Sequence, residues 1–139
     1  MKRTFTISRR AAGAIFLAAC WAIPPQPVAA HHSFAAEYDG AKPIKIIATI
    51  TKFDMINPHS WLYADSKDAD GKVTSWQFET AAPNILFRRG FKRDYFKVGT
   101  VITIEGFLAK DGTKTGNAQK VTLPDGKLLI LGTETNPDN

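Results

Sequence analysis

The sequence predicts a mainly all-β protein: one small barrel of five or six strands, with a single short helix between strands three and four. Three observations carry this. Apolar residues alternate with polar ones at a period of two, Asp-Gly and similar pairs punctuate the alternation, and only Pro83 to Gly90 reads as a helix.

Ile44, Ile46, Ala48 and Ile50 alternate with Lys45, Thr49 and Thr51, and Ile47 alone breaks the polar face, so a half-buried strand spans about 44–53. Asn57-Pro58 interrupts it, and Trp61 to Ala64 resumes as a second strand. Asp70-Gly71 then signals a hairpin turn into a third strand, Val73 to Glu79, with Trp76 and Phe78 on one face. Pro83 suits the first helical turn, where its missing N–H would be unpaired anyway. Ile85 and Leu86 give the helix an apolar patch, and Gly90 suits a left-handed cap. Val98-Gly99-Thr100 turns into a strand from Val101 to Ala109, whose Ile102, Ile104 and Leu108 share a face with Gly106, where a barrel strand bends or bulges. Asp111-Gly112 precedes a strand near Ala118 to Leu123. Pro124-Asp125-Gly126 forms a type I turn, and Lys127 to Leu131 completes the pattern. Ile46, Ile50, Trp76, Phe78, Ile102 and Ile104 are the expected core.

Three strands, a short helix and two or three more strands is the order of an OB-like Greek-key barrel, whose helix plugs one end. Closure also removes the exposed edges that an open sheet would present. A small open sandwich is the competing architecture. The barrel domain is expected over 31–132, and the tail 133–139, which has no aliphatic or aromatic residue, is expected to be disordered.

Residues 1–30 read as a signal peptide: a basic start (Lys2, Arg3, Arg9, Arg10), an apolar run from Ala11 to Ile23, and a Pro-rich stretch ending in Val28-Ala29-Ala30. Cleavage there makes His31 the first residue of a periplasmic or secreted chain. Leu17-Ala18-Ala19-Cys20 supports a different cut, with a lipid anchor on Cys20. In the first reading the leader removes four basic residues and no acidic ones, leaving fourteen basic against thirteen acidic, a net charge of +1 in place of +5. The composition argument for nucleic acid disappears with the leader. The only cysteine is Cys20, so the barrel holds neither a disulfide nor a thiol nucleophile. No apolar run after residue 30 approaches the roughly 18 residues of a transmembrane span.

His31-His32-Ser33-Phe34-Ala35-Ala36-Glu37-Tyr38-Asp39, Asn57-Pro58-His59, Trp61-Leu62-Tyr63, Lys67 to Val73, Arg88-Arg89-Gly90 and Val121 to Gly126 together resemble domain-of-unknown-function family 6152, small exported bacterial proteins. The resemblance spans nearly all of 31–130. It implies an exported single domain and transfers no activity.

The residues with the most chemical content are His31, His32 and His59, the chain's three histidines. As a first residue, His31 offers an amine and an imidazole Nδ1 that chelate one metal. His59 adds a third nitrogen, giving a T-shaped set suited to the tetragonal preference of Cu(II). Freeing an α-amino group near neutral pH costs about 1 kcal/mol, small beside the order of 10 kcal/mol that structural metal sites yield. The plainer alternative is a turn at Pro58-His59 packing on Trp61, with His31-His32 a floppy end. Glu37, Asp39 and Glu79 are candidates to complete a site, although solvated surface carboxylates are the simpler expectation.

A second feature is the basic run Arg88, Arg89, Lys92, Arg93 and Lys97 among Phe87, Phe91, Tyr95 and Phe96. It reads either as an anionic-partner patch or as a solvated helix face with its aromatics in the core. Ser33, Ser60, Ser66 and Ser75 lie in no G-x-S-x-G elbow, so no catalytic constellation is complete. The sequence therefore points to a binding or accessory module. Copper is its candidate cofactor, and a small ligand or an envelope protein its candidate partner. A lipid-anchored structural or protein-interaction domain is the alternative.

Overall fold

A computed structural model describes residues 34–132, and within them the chain forms the expected small OB-like barrel. Residues 1–33, which include the expected leader and His31, His32 and Ser33, and the expected tail 133–139 lie outside the described residues. A short helix, α1 (Phe34–Glu37), leads into β1 (Tyr38–Asp54); β2 (Ser60–Lys67) and β3 (Val73–Thr80) follow as a hairpin. Helix α2 (Pro83–Arg88) and a 3-10 turn (Arg93–Tyr95) separate them from β4 (Val101–Ala109), β5 (Thr115–Thr122) and β6 (Leu128–Ile130). The sheet runs β3-β2-β1-β4-β5-β6, and a further pairing of β3 with β5 closes it into a ring.

Strand β1 makes this possible by serving two neighbours. Its residues Pro43 to Thr49 pair with β4, and Thr49 to Asp54 pair with β2, the hand-over being marked by a register shift between Ile50 and Lys52. Such bulges bend a strand and increase its twist, which a small barrel requires. Closure is parallel, with Gln77, Phe78 and Glu79 facing Thr115, Gly116 and Asn117. Gly106 sits at a second register shift, between β4 and β5, and a Cβ there would stand 1.9 Å from the Asn117 carbonyl oxygen. Only a residue without a side chain lets the strands approach this closely.

The inner face holds Ile50, Leu62, Phe78, Leu86, Ile102, Ile104, Val121 and Leu131, each almost fully buried. Burying each contributes about 1.5–3 kcal/mol. Helix α2 plugs one end through Leu86. It begins with Pro83 at its first turn and ends at Gly90, whose φ of +83° permits the left-handed cap. The Gly90 N–H donates to the Phe87 carbonyl at 3.0 Å and the Phe91 N–H to the Leu86 carbonyl at 3.0 Å, which serves carbonyls at the helix C-terminus.

Two expected core residues are only half-buried. Ile46 lies in the part of β1 that has β4 on one side and no β2 pairing on the other. Trp76 lies toward the barrel end, where its indole N–H donates to Ser66 Oγ at 2.9 Å and Lys114 Nζ sits 5.1 Å from the ring centroid. A buried indole needs a partner for that N–H, and Ser66 supplies it. Strand β1 also begins six residues before its alternation, because Tyr38 pairs with Ala109 beyond an irregular stretch. Strand β5 begins at Thr115 because the parallel partner, β3, extends it. Phe91 and Phe96 are core residues as expected, whereas Phe87 is 44% exposed.

Candidate functional site

His59 stands at the end of the loop joining β1 and β2, immediately before Ser60 opens β2; the Asn57-Pro58 peptide in that loop is cis. Glu79 lies near the end of β3, directly across from Trp61 on β2 and in register with Asn117 on β5. Strand alternation puts Leu62 and Phe78 on the inner face, so Trp61 and Glu79 face outward. An outward carboxylate is normally wet. Glu79 is only 6% exposed.

The cover comes from the start of the described chain. Phe34 packs tilted against Tyr38 with ring centroids 5.4 Å apart and meets Phe107 edge-on at 5.5 Å. The Lys110 N–H donates to the Glu37 carbonyl at 2.9 Å and its ammonium to the Ala35 carbonyl at 2.5 Å. These contacts hold 34–38 against the outer wall. The Tyr38 hydroxyl thereby donates to Glu79 Oε2, while His59 Nδ1 meets Glu79 Oε1. Burial, and then the Glu79 carboxylate, hold the Tyr38 phenol well above the ordinary tyrosine range.

A carboxylate oxygen against Nδ1 assigns a proton to that nitrogen, which in a neutral imidazole leaves the lone pair on Nε2. The His59 side chain is 34% exposed, against 8% for that of Glu79. Tyr38, Glu79 and His59 thus form a chain running from a buried phenol to a partly exposed imidazole, the arrangement that orients metal-ligating histidines. Beside it lies an open recess of about 590 Å³ lined by Tyr38, Trp61, Lys110, Asp111 and Thr115 among others. Asp111 is turned to its own loop, accepting from the Thr113 N–H at 2.9 Å and hydroxyl at 2.7 Å, contacts that hold its carboxyl below the ordinary range.

The sequence named Glu79 as a candidate to complete a site with the histidines but took it more readily as solvated; the structure buries it against His59. Tyr38 went unnoticed as a site residue because its role depends on pairing across 41 positions. Asp39 accepts from the Ala41 N–H at 3.0 Å and pairs with Lys42 at 3.4 Å; Glu37 is exposed on α1. Asp39 thus faces its own turn, whereas the Glu37 carboxylate adds to the charge that raises the Tyr38 phenol. Among the described residues no three His, Cys, Asp or Glu side chains converge on a metal position.

The basic run occupies α2 and the segment after it. Arg88, Lys92, Arg93 and Lys97 are exposed, whereas Arg89 is half-buried and donates to the Gly132 carbonyl at 2.8 Å. Arg93 lies over the exposed Phe87 ring, 5.6 Å from its centroid. No described helix is long and apolar enough to cross a membrane.

Residues 19–119 match the profile of a family of unknown function, DUF6152. No curated protein and no solved structure matches the chain.

Proposed function

The chain belongs to DUF6152, a family of unknown function, and from that premise we propose that it is an exported barrel that binds a metal ion at His59. Cu(II) is the sharpest form of the reading. His59 Nε2 supplies one nitrogen, and a mature N-terminal His31 supplies its amine and imidazole, with His32 as a substitute. The observation that carries the reading is the Tyr38–Glu79–His59 chain, which presets the imidazole tautomer and leaves Nε2 available.

Copper titration of three proteins tests it: the chain beginning at His31, the same chain with an added N-terminal Met, and His59→Ala. The added Met separates the amine from the imidazole and weakens binding severely; His59→Ala weakens it less, because two chelating nitrogens survive. Equal affinities across all three overturn the reading.

The second reading is a lipid-anchored structural or protein-interaction domain of the cell envelope. It is favoured by Leu17-Ala18-Ala19-Cys20 and by the way the Tyr38, Glu79 and His59 contacts satisfy one another without a ligand. The intact mass of the protein purified from its host discriminates: a chain starting at His31 supports the first reading, an acylated Cys20 the second.

A further inference from the structure

The described residues divide their charge unevenly. Residues 83–99 hold five basic side chains and one acidic one, Asp94, whereas the remaining described residues hold nine basic and ten acidic. The whole positive excess of the barrel therefore sits on α2 and the segment that follows it. Its cations are not spread along a strand face, where OB-like barrels stack nucleic-acid bases. Arg88, Lys92 and Arg93 fall within six residues, at the end of a two-turn helix and just beyond its Gly90 cap, and all three are exposed.

The apolar part of this surface is equally specific. The solvated-face reading of the sequence puts all four aromatics of the segment in the core, and Phe91 and Phe96 are there. Phe87 instead points outward, 44% exposed, under the Arg93 guanidinium. An exposed aromatic under one guanidinium and close in sequence to two more exposed cations matches the two demands of an anionic bilayer surface: point charges for lipid phosphates, and an apolar side chain to enter the headgroup boundary. A folded acidic protein would reward the cations, but a mostly charged partner surface offers little to Phe87.

We propose that Phe87, Arg88, Lys92 and Arg93 form a docking face for anionic phospholipid headgroups, on which the barrel sits peripherally. This rests on neither the metal reading nor the lipid-anchor reading. Lys97, also exposed and close in sequence, adds to the field. Binding of this kind is reversible and salt-dependent, since a face with few cations and one apolar side chain lacks the second strong signal that stable anchoring requires.

Vesicle sedimentation tests it directly. The chain used begins at His31, because residues 1–30 carry four cations and an apolar run that would bind lipid by themselves; every described strand and the core of the described residues lie after that point. Two vesicles are compared, phosphatidylcholine alone and phosphatidylcholine with phosphatidylglycerol at 3:1, in 0.1 M and 1 M salt. The expected result is binding to the phosphatidylglycerol vesicles only, abolished in 1 M salt, where the screening length falls to about 3 Å. The triple change Arg88→Gln, Lys92→Gln and Arg93→Gln lowers the partition coefficient about a hundredfold, at roughly fivefold per cation. Phe87→Ser lowers it about tenfold and leaves the salt dependence in place. All four positions are exposed, so the melting temperature serves as the control for folding. Equal binding to both vesicles, no binding to either, or a triple variant that binds as the parent does overturns the proposal. Tighter binding to a 20-nucleotide oligothymidylate than to the anionic vesicles overturns it in favour of nucleic acid.

Discussion

Glu79→Gln isolates the role of the carboxylate, because glutamine keeps the shape and one acceptor oxygen while exchanging the other oxygen for a donor. In the parent, Glu79 Oε2 accepts from the Tyr38 hydroxyl and Oε1 meets His59 Nδ1. Glutamine still serves Tyr38 through its carbonyl oxygen, but its amide group then faces a protonated Nδ1, and two donors cannot share one hydrogen bond. The relief is a tautomer exchange in which Nδ1 becomes the acceptor and Nε2 takes the proton. Hydrogen bonds to a charged group contribute about 1.5–3 kcal/mol against about 0.5–1.5 for neutral pairs. Two weakened bonds therefore cost about 2–3 kcal/mol. Removing a buried charge refunds part of that through desolvation, leaving a net loss of about 1–2 kcal/mol, or roughly 5–15 °C in Tm for a domain of this size. The ligating power of Nε2 falls with its lone pair, by about 10–100-fold in copper affinity, the usual effect of removing such an orienting partner. Long-range proton–nitrogen NMR spectra of the imidazoles read the tautomer, and thermal unfolding reads the stability. A parent protein whose His59 carries its proton on Nε2 refutes the reasoning, as does a glutamine variant unchanged in both tautomer and Tm.

Three further outcomes follow from other parts of the barrel. Gly106→Ala forces a Cβ to 1.9 Å from the Asn117 carbonyl oxygen. It should cost about 3 kcal/mol or more, more than roughly 12 °C in Tm, whereas Gly40→Ala, with nothing within 4 Å of its Cβ, should change stability by less than about 0.5 kcal/mol; similar melting curves for the two would contradict the packing argument. The Tyr38 phenol is raised by burial and by Glu79, so the folded state keeps a proton that the unfolded chain releases above about pH 10. Its stabilisation is complete below that pH and is lost above it, at about 1.4 kcal/mol per pH unit; in urea unfolding at pH 9, 10 and 11, the advantage of the parent over Tyr38→Phe should shrink between the last two, and a constant difference excludes the mechanism. Phe78→Ala, emptying a fully buried position at the β3–β5 closure, should cost about 3–5 kcal/mol, measured by the same urea titration.

What the sequence disclosed, and what it withheld, follows the range of the interactions concerned. The alternation of Ile44 to Ile50, the Asp70-Gly71 turn and the Pro83 to Gly90 helix are local signals, each decided by a period or a backbone requirement within about ten residues, and each corresponds to an element of the barrel. Even Gly106 declared itself, because a glycine on the apolar face of a strand has few reasons to be there except close approach. Tyr38 and Glu79 gave no such signal. In sequence terms Glu79 is an outward-facing strand carboxylate like Glu105, which pairs with Lys45 at 3.0 Å on the open outer surface. What separates the two is the fold of Phe34 to Tyr38 across the β3–β5 seam, and that depends on Phe34 meeting Phe107 and on Lys110 meeting the carbonyls of Ala35 and Glu37. The His59 tautomer is thus governed by a contact that exists only after the barrel has closed. By this argument the segment carrying Phe34 controls the chemistry of His59 as directly as Glu79 does, and loosening that segment should disturb the imidazole before it disturbs the barrel.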